Sequence, residues 1–549
     1  MDATPPAAAI ATPAEPSLAP TAQSLRALVR TLSSDEMQGR GPGTPGAARA
    51  VATIVAQMQA LGLQPAGDDG GWTQRVPMRA VTTDPARVEL ALHAGGERAP
   101  LGFGEDFVGT SLRAAGTHRI DAPLWFVGHG ITAPEQGWDD YAGAELDGAI
   151  VVVLVGDPPL TDGRFAGDTL TYYGRWSYKV ERALAAGARG VLLVHETEAA
   201  SYGWNVVRNS WSEERFDIID DAQGSAGALA VEGWLSKDAA DALAHRCGAS
   251  LQQWHETALA PGFHAVPLPA TLVGSLVTTE RRVADVNVVG RLAGTRTPDE
   301  ALVVTAHWDH LGTDGHAAAG ADAIFNGAID NASGVAGLLA VAAELQVRSR
   351  GGRPLGRSVY FVATTGEEQG LLGSRWFAAH PPVAIDNLIA AFNLDSMNVD
   401  GRTRTVQVIG PGQSTLEDVL AEVVRAEGRA LVPDEHPESG GYFRSDHFSF
   451  AQRGVPALYL RGGSDMADGG SERGRQLGEQ RARHYHTVDD EFDERWSFEG
   501  TLQDVHTMAS LVGRVADEPA RPTWKASRAV IPVVAATPAT PRASRDGGR

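Results

Sequence analysis

The chain has 549 residues, more than a single hydrophobic core organises, so two or more structural units are expected. Hydrophobic residues make up 43% and charged residues 21%, which excludes a disordered or fibrous chain and allows a sizeable core. Acidic residues outnumber basic ones by 68 to 47, a net charge of −21 with no dense Lys/Arg cluster, which argues against nucleic acid or an anionic membrane surface as partner.

Residues 1–22, rich in Ala, Pro and Thr, are expected to form a disordered tether of the kind that follows a removed export signal. Export to the periplasm or the medium is therefore expected, with a cytoplasmic start left open. LRALVRTLSSDEM and AARAVATIVAQMQALGL place apolar residues at helical spacing around the glycine-dense QGRGPGTPG, giving a helix, a loop and a helix. From 122 to 275 the texture shifts to short β-rich runs, APLWFVGHGI, GAIVVVLVGD and GVLLVHE, with a helical ERALAAGA between them, an expected compact α/β insert. Trp176 and Trp204 fall in this insert and are expected in its core rather than along a cleft.

After the insert, continuous apolar strands alternate with helices: ALVVTAHWDHLG, SGVAGLLAVAAELQ, SVYFVATTGEE, GSRWFAAH and NLIAAFNLDSM. That alternation predicts an α/β fold with a mostly parallel mixed sheet covered by helices on both faces. One discontinuous domain, 23–121 with 276–517, is expected to carry it, and 518–549 is expected to be a flexible tail. No apolar run is expected to reach the roughly 18 residues of a membrane span. The sole cysteine, Cys247, permits neither an intrachain disulfide nor a thiolate zinc cluster, so any metal must use His and carboxylate.

Polar residues collect where apolar strands end, which is where open α/β sheets bind ligands. ALVVTA delivers His307 and Asp309; NGAIDNASG places Asp330 ahead of a helix; SVYFVATTG delivers Glu367 and Glu368; NLIAAFNL delivers Asp395; RARHYHTVDD supplies His484 and His486. Imidazoles and carboxylates without thiolate suit catalytic Zn²⁺, and the excess of carboxylates suits two metals sharing a bridging ligand. Two adjacent glutamates at a buried strand end would resist ionisation without a cation.

TAHWDHLG, AIDNASGVAGLL, TTGEEQGLLGS, NLDSM and YHTVDD resemble, in order, the metal motifs of the M28 metallopeptidases, and SDHFSFAQRGVPA is similar to another segment of that family. The likeness covers about 283–515, and the stretch 122–275 resembles the protease-associated (PA) insert of some members. The resemblance implies a zinc-dependent aminopeptidase, cutting N-terminal residues from peptides through a metal-bridged water, with two Zn²⁺ per chain. It implies that Asp330 bridges the metals, that His307 and Asp395 complete one and Glu368 and His486 the other, and that Glu367 is the general base. By the same likeness Asp309 orients His307, and Tyr442 faces the substrate carbonyl. His310, His316, His447 and His484 are expected beside the site rather than as ligands. Dipeptidases, carboxypeptidases and other amide hydrolases can share such a centre, and a clustered Arg pocket would favour carboxylate recognition. A single-zinc glutaminyl cyclase and a non-catalytic binding protein are the remaining alternatives.

Overall fold

The computed structural model describes residues 19–212, 214–219, 229–315 and 317–529. Residues 1–18 of the expected tether, 530–549 of the expected C-terminal tail and His316 lie outside these residues, while the end of the expected tether is instead ordered: Thr21 caps helix Ala22–Leu32.

Thr297–His307 is the central strand of the first body, paired in parallel with Arg357–Thr364 on one side and Leu388–Asn393 on the other. Leu388–Asn393 continues in parallel to Ala457–Gly462. Strand residues alternate between two cores, which is why these runs read as continuously apolar. Leu302, Val304 and Ala306 pack with helices Pro45–Leu61, Gly334–Arg350 and Glu499–Asp517; Ala301 and Val303 pack with Phe377, Phe448 and Phe450. A mixed sheet covered on both faces is thus present, as the alternation of strand and helix predicted.

Ala328–Arg350 has the length and apolar character of a membrane span, a run that the sequence reading passed over, and the most apolar part of it is 89% buried inside the protein. Its Ala, Gly, Val and Leu residues meet the sheet, Ala22–Leu32 and Glu499–Asp517, so burial on all sides accounts for the composition.

The second body has its own parallel strands, Gly116–Phe126, Ile150–Leu154, Gly190–Val194 and Val231–Leu235, sandwiched between two further cores. Its extent differs from the expected 122–275. Leu90, Leu92, Ala94 and Phe107 belong to its core, because Glu89–Ala94 pairs antiparallel with the first half of the 27-residue strand Val266–Leu292. The second half of that strand pairs with Arg357–Thr364, so one strand joins both bodies. Within 518–529 the expected tail is instead attached. Arg357 donates to the Pro519 carbonyl at 3.0 Å, Arg521 pairs with Glu300 at 2.8 Å, and Trp524 Nε1 donates to the Gly454 carbonyl at 2.9 Å.

Candidate metal centre

Three parallel strands release the chain on the same edge of the sheet, and the ligand candidates are the residues at or just past those ends. His307 is the last residue of its strand and is buried. Its Nε2 lies 3.2 Å from Asp330 Oδ1 and 3.7 Å from Asp395 Oδ1. The other ring nitrogen, Nδ1, lies 3.2 Å from the Asp309 backbone oxygen and 3.9 Å from the Asp309 carboxylate. The carbonyl therefore has first claim on the imidazole, and the carboxylate expected to orient it accepts the Glu367 N–H at 3.3 Å instead. Burial pushes the Asp309 carboxyl up to about 8.

Asp330 sits in an irregular turn before helix Gly334–Arg350. The turn is packed closely against the start of the Asp395 loop: a side chain at Gly334 would put its Cβ 2.1 Å from Asn331 Oδ1 and 2.4 Å from the Leu394 carbonyl. Asn331 ties the two loops, donating to the Leu394 carbonyl at 3.0 Å and accepting from Gly334 N at 2.8 Å and Ser396 N at 3.2 Å. Asp395 is held by Ser445 Oγ, which donates to Oδ2 at 2.6 Å.

Glu368 Oε2 lies 2.9 Å from His486 Nε2, and its Oε1 lies 2.6 Å from His310 Nδ1. His310, expected only beside the site, is thus in direct contact with the carboxylate of a candidate ligand and joins Asp330 and Glu368 as one possible donor set. His307 with Asp330 and Asp395, and His307 with Glu367 and Glu368, are the others. Glu367 has no side-chain hydrogen bond or ion pair among the described residues. Burial, opposed by His307 and reinforced by Glu368, holds its carboxyl well above the usual range.

His486 Nε2 is also 3.4 Å from Asp330 Oδ2, yet neither ring nitrogen of His486 makes a hydrogen bond. A buried nitrogen beside two carboxylates and bonded to neither is a donor set that a cation would satisfy. His486 holds φ at +55°, in the left-handed region, and Ser396 beside Asp395 at +53°. Backbone of this kind collects at functional sites. The donors present therefore fit zinc.

Residues 287–510 match the model of peptidase family M28. That stretch is similar to an M28 domain. A probable zinc metalloprotease of Pyricularia oryzae is 32% identical over 185 residues, 33% of this chain, so the match spans only 35% of that relative's own length. An aminopeptidase from Aneurinibacillus sp. strain AM-1 aligns structurally over 91% of this chain and 95% of its own at 19% identity, with a TM-score of 0.51, a likeness of fold. The zinc aminopeptidase BSAP from Bacillus subtilis aligns over 90% and 95% at 19% identity, with a TM-score of 0.45.

The M28-like domain and the second body enclose a cavity of about 300 Å³, with Glu367, Glu368, Tyr485 and His486 on one wall and Tyr172 and Arg175 on the other. Tyr442 does not line it. Its ring packs against Gly410, the charges that act on its hydroxyl are those of Glu417 and Arg528, and that hydroxyl is buried without a partner. Tyr485 occupies the wall instead, 40% exposed, with its ring 3.8 Å from that of His486. Trp176 lines the cavity and also packs edge-on against Trp211, while Trp204 donates to the Gly104 carbonyl at 2.9 Å. His447 is buried beside Tyr442 and Tyr459, and burial lowers its ring to about 3.

Proposed function

We propose that the protein is a two-zinc exopeptidase that removes N-terminal residues from peptides. The observation that supports two metals rather than one is the division of Asp330: Oδ1 faces His307 at 3.2 Å and Oδ2 faces His486 at 3.4 Å. A carboxylate offering each oxygen to a different imidazole is suited to bridging. His307 and Asp395 would complete one donor set, and Glu368 and His486 the other. Bound Zn²⁺ supplies Lewis acidity toward the scissile carbonyl and lowers the pKa of water.

Glu367 is the carboxylate left over. Unpaired and facing the cavity, it can take a proton from the attacking water and deliver it to the leaving amine. Tyr485, beside His486 on the same wall, offers a phenol to the substrate carbonyl. The choice of the amino end follows the Aneurinibacillus aminopeptidase that shares the fold.

The test is to reconstitute the protein with zinc, measure metal per chain, and assay Leu-p-nitroanilide against its N-acetyl derivative. Two zinc per chain and chelator-sensitive release from the free-amine substrate alone are expected. Activity that survives exhaustive chelation, or one zinc per chain at full activity, overturns the reading.

A further inference from the structure

The cavity wall carries four guanidinium groups and, besides Glu367 and Glu368, three acidic side chains, and these do not pair off evenly. Asp217 is bound by Arg79 at 2.9 Å. Glu232 is buried against Arg215, whose guanidinium stacks on Trp211 at 4.1 Å. Glu181 accepts the Tyr172 hydroxyl at 2.9 Å and faces Arg375. That leaves Arg175 and Arg444.

Neither of these two has a carboxylate partner among the described residues. The Arg175 guanidinium makes no hydrogen bond among the described residues, and its Nε is buried without a partner. Arg444 donates to the Ala200 carbonyl at 3.1 Å and to Ser201 Oγ at 2.5 Å, lies over the Tyr202 ring at 5.4 Å, and leaves its own buried Nε unpartnered. Both line the cavity, and Arg444 is the charged group that acts most strongly on Arg175, so two cations share one partly enclosed space. Like charges brought together out of water are unfavourable without an anion between them. A planar guanidinium is also the side chain best shaped for a carboxylate.

Their position ties this charge to the reaction site. Arg444 precedes Ser445, which hydrogen-bonds Asp395. Arg175 follows the turn Tyr172–Gly174, whose Tyr172 ring packs 4.9 Å from Phe448 of the M28-like domain. Tyr485 lies within the electrostatic reach of both arginines and of Glu367 and Glu368. We propose that Arg175 and Arg444, one from each body, form a carboxylate-binding subsite of the cleft, which selects substrates bearing a free carboxylate. Two sources share that chemistry, the C-terminus of a short peptide and an acidic side chain at the cleaved residue. The inference rests on the peptidase reading and sharpens its specificity.

Zinc-loaded enzyme is assayed on Leu-Gly-Gly against Leu-Gly-Gly amide, and on Glu-p-nitroanilide against Leu-p-nitroanilide. A kcat/KM advantage of roughly tenfold or more for the carboxylate-bearing member of one pair is expected, because a site built for a polar group rejects the analogue that lacks it. The pair that shows it identifies the source. In Arg175→Gln and Arg444→Gln that acid-to-neutral ratio is expected to fall by a similar factor. Binding of both tripeptides to the zinc-loaded Glu367→Gln protein is measured by calorimetry, a readout that needs no turnover. Absence of all hydrolysis would sink the peptidase reading alone, with the calorimetric preference still deciding the subsite. Equal handling of acid and neutral ligands in every arm, or a preference that persists in both arginine variants, overturns the proposal.

Discussion

Asp490 Oδ2 accepts the backbone N–H of Asp330 at 2.9 Å, and Asp490 Oδ1 accepts that of Ile329 at the same distance. The bridging candidate is therefore aimed by a second carboxylate that grips the main chain and leaves both Asp330 oxygens free. Because Asp490 lies four residues past His486, one short segment both supplies a donor and fixes the loop carrying its neighbour. Asp490→Ala removes that grip without touching a proposed ligand. Zinc affinity is expected to fall about 10- to 100-fold, the usual cost of losing an outer-shell partner. Competition with a chelator of known affinity measures it, and Asp490→Asn, which keeps one acceptor oxygen, is expected to lie between.

Arg40 organises the same region from the other side. It is 1% exposed and donates to four carbonyls, those of Leu32, Asn326, Gly327 and Trp308 at 2.6–2.8 Å. Asn326 and Gly327 lead into Asp330, and Trp308 follows His307. Its charge also faces Asp490, Asp309, Asp330 and Glu368. Arg40→Ala leaves those carbonyls and carboxylates uncompensated, with an expected loss on the order of 3–5 kcal/mol. Urea denaturation of the metal-free protein checks this. Arg40→Lys keeps the charge but cannot reach all four carbonyls, so partial recovery is expected.

The strand ends were legible because a strand that must stay apolar throughout exposes its polar successor abruptly. His307, Glu367, Glu368 and Asp395 stand out in the chain for that reason, and the structure gathers them with Asp330 and His486. Arg40 and Asp490 were not legible, since all their backbone partners but Leu32 lie 160 or more residues away in the chain. Tyr442 misled because motif proximity to Ser445 says nothing about which way a ring turns. Here the Tyr442 side chain lies against Gly410 and is absent from the lining of the cavity. The second body was underestimated at its start because the pairing of Glu89–Ala94 with Val266–Leu292 spans most of that body in sequence.

Glu367 gives the sharpest test of mechanism. Glu367→Gln preserves shape and removes the proton-accepting oxygen, while His307, Asp330, Glu368, Asp395 and His486 remain. Zinc content is expected to stay at the wild-type level and kcat to fall by about 10² to 10⁴, the range of a general base. His307→Ala is expected to do the reverse in order of cause, losing metal first and activity with it, as elemental analysis of dialysed protein would register. Near-normal turnover by fully metallated Glu367→Gln would remove Glu367 from the mechanism.

A pH effect is expected at a cavity-wall residue that is not a proposed metal ligand. Burial raises the Glu232 carboxyl from 4.5 to about 7, and Arg215 offsets this only in part. The folded state therefore binds this proton more tightly than the unfolded chain. The resulting stability is fully present below about pH 4.5 and is lost as pH rises through 7, on the order of 3 kcal/mol in all. Glu232→Gln mimics the protonated acid at every pH. It is expected to melt above the wild type at pH 8, with the gap closing toward pH 5. The pH dependence of that gap is the informative quantity, because a change in packing alone would shift the variant equally at both values.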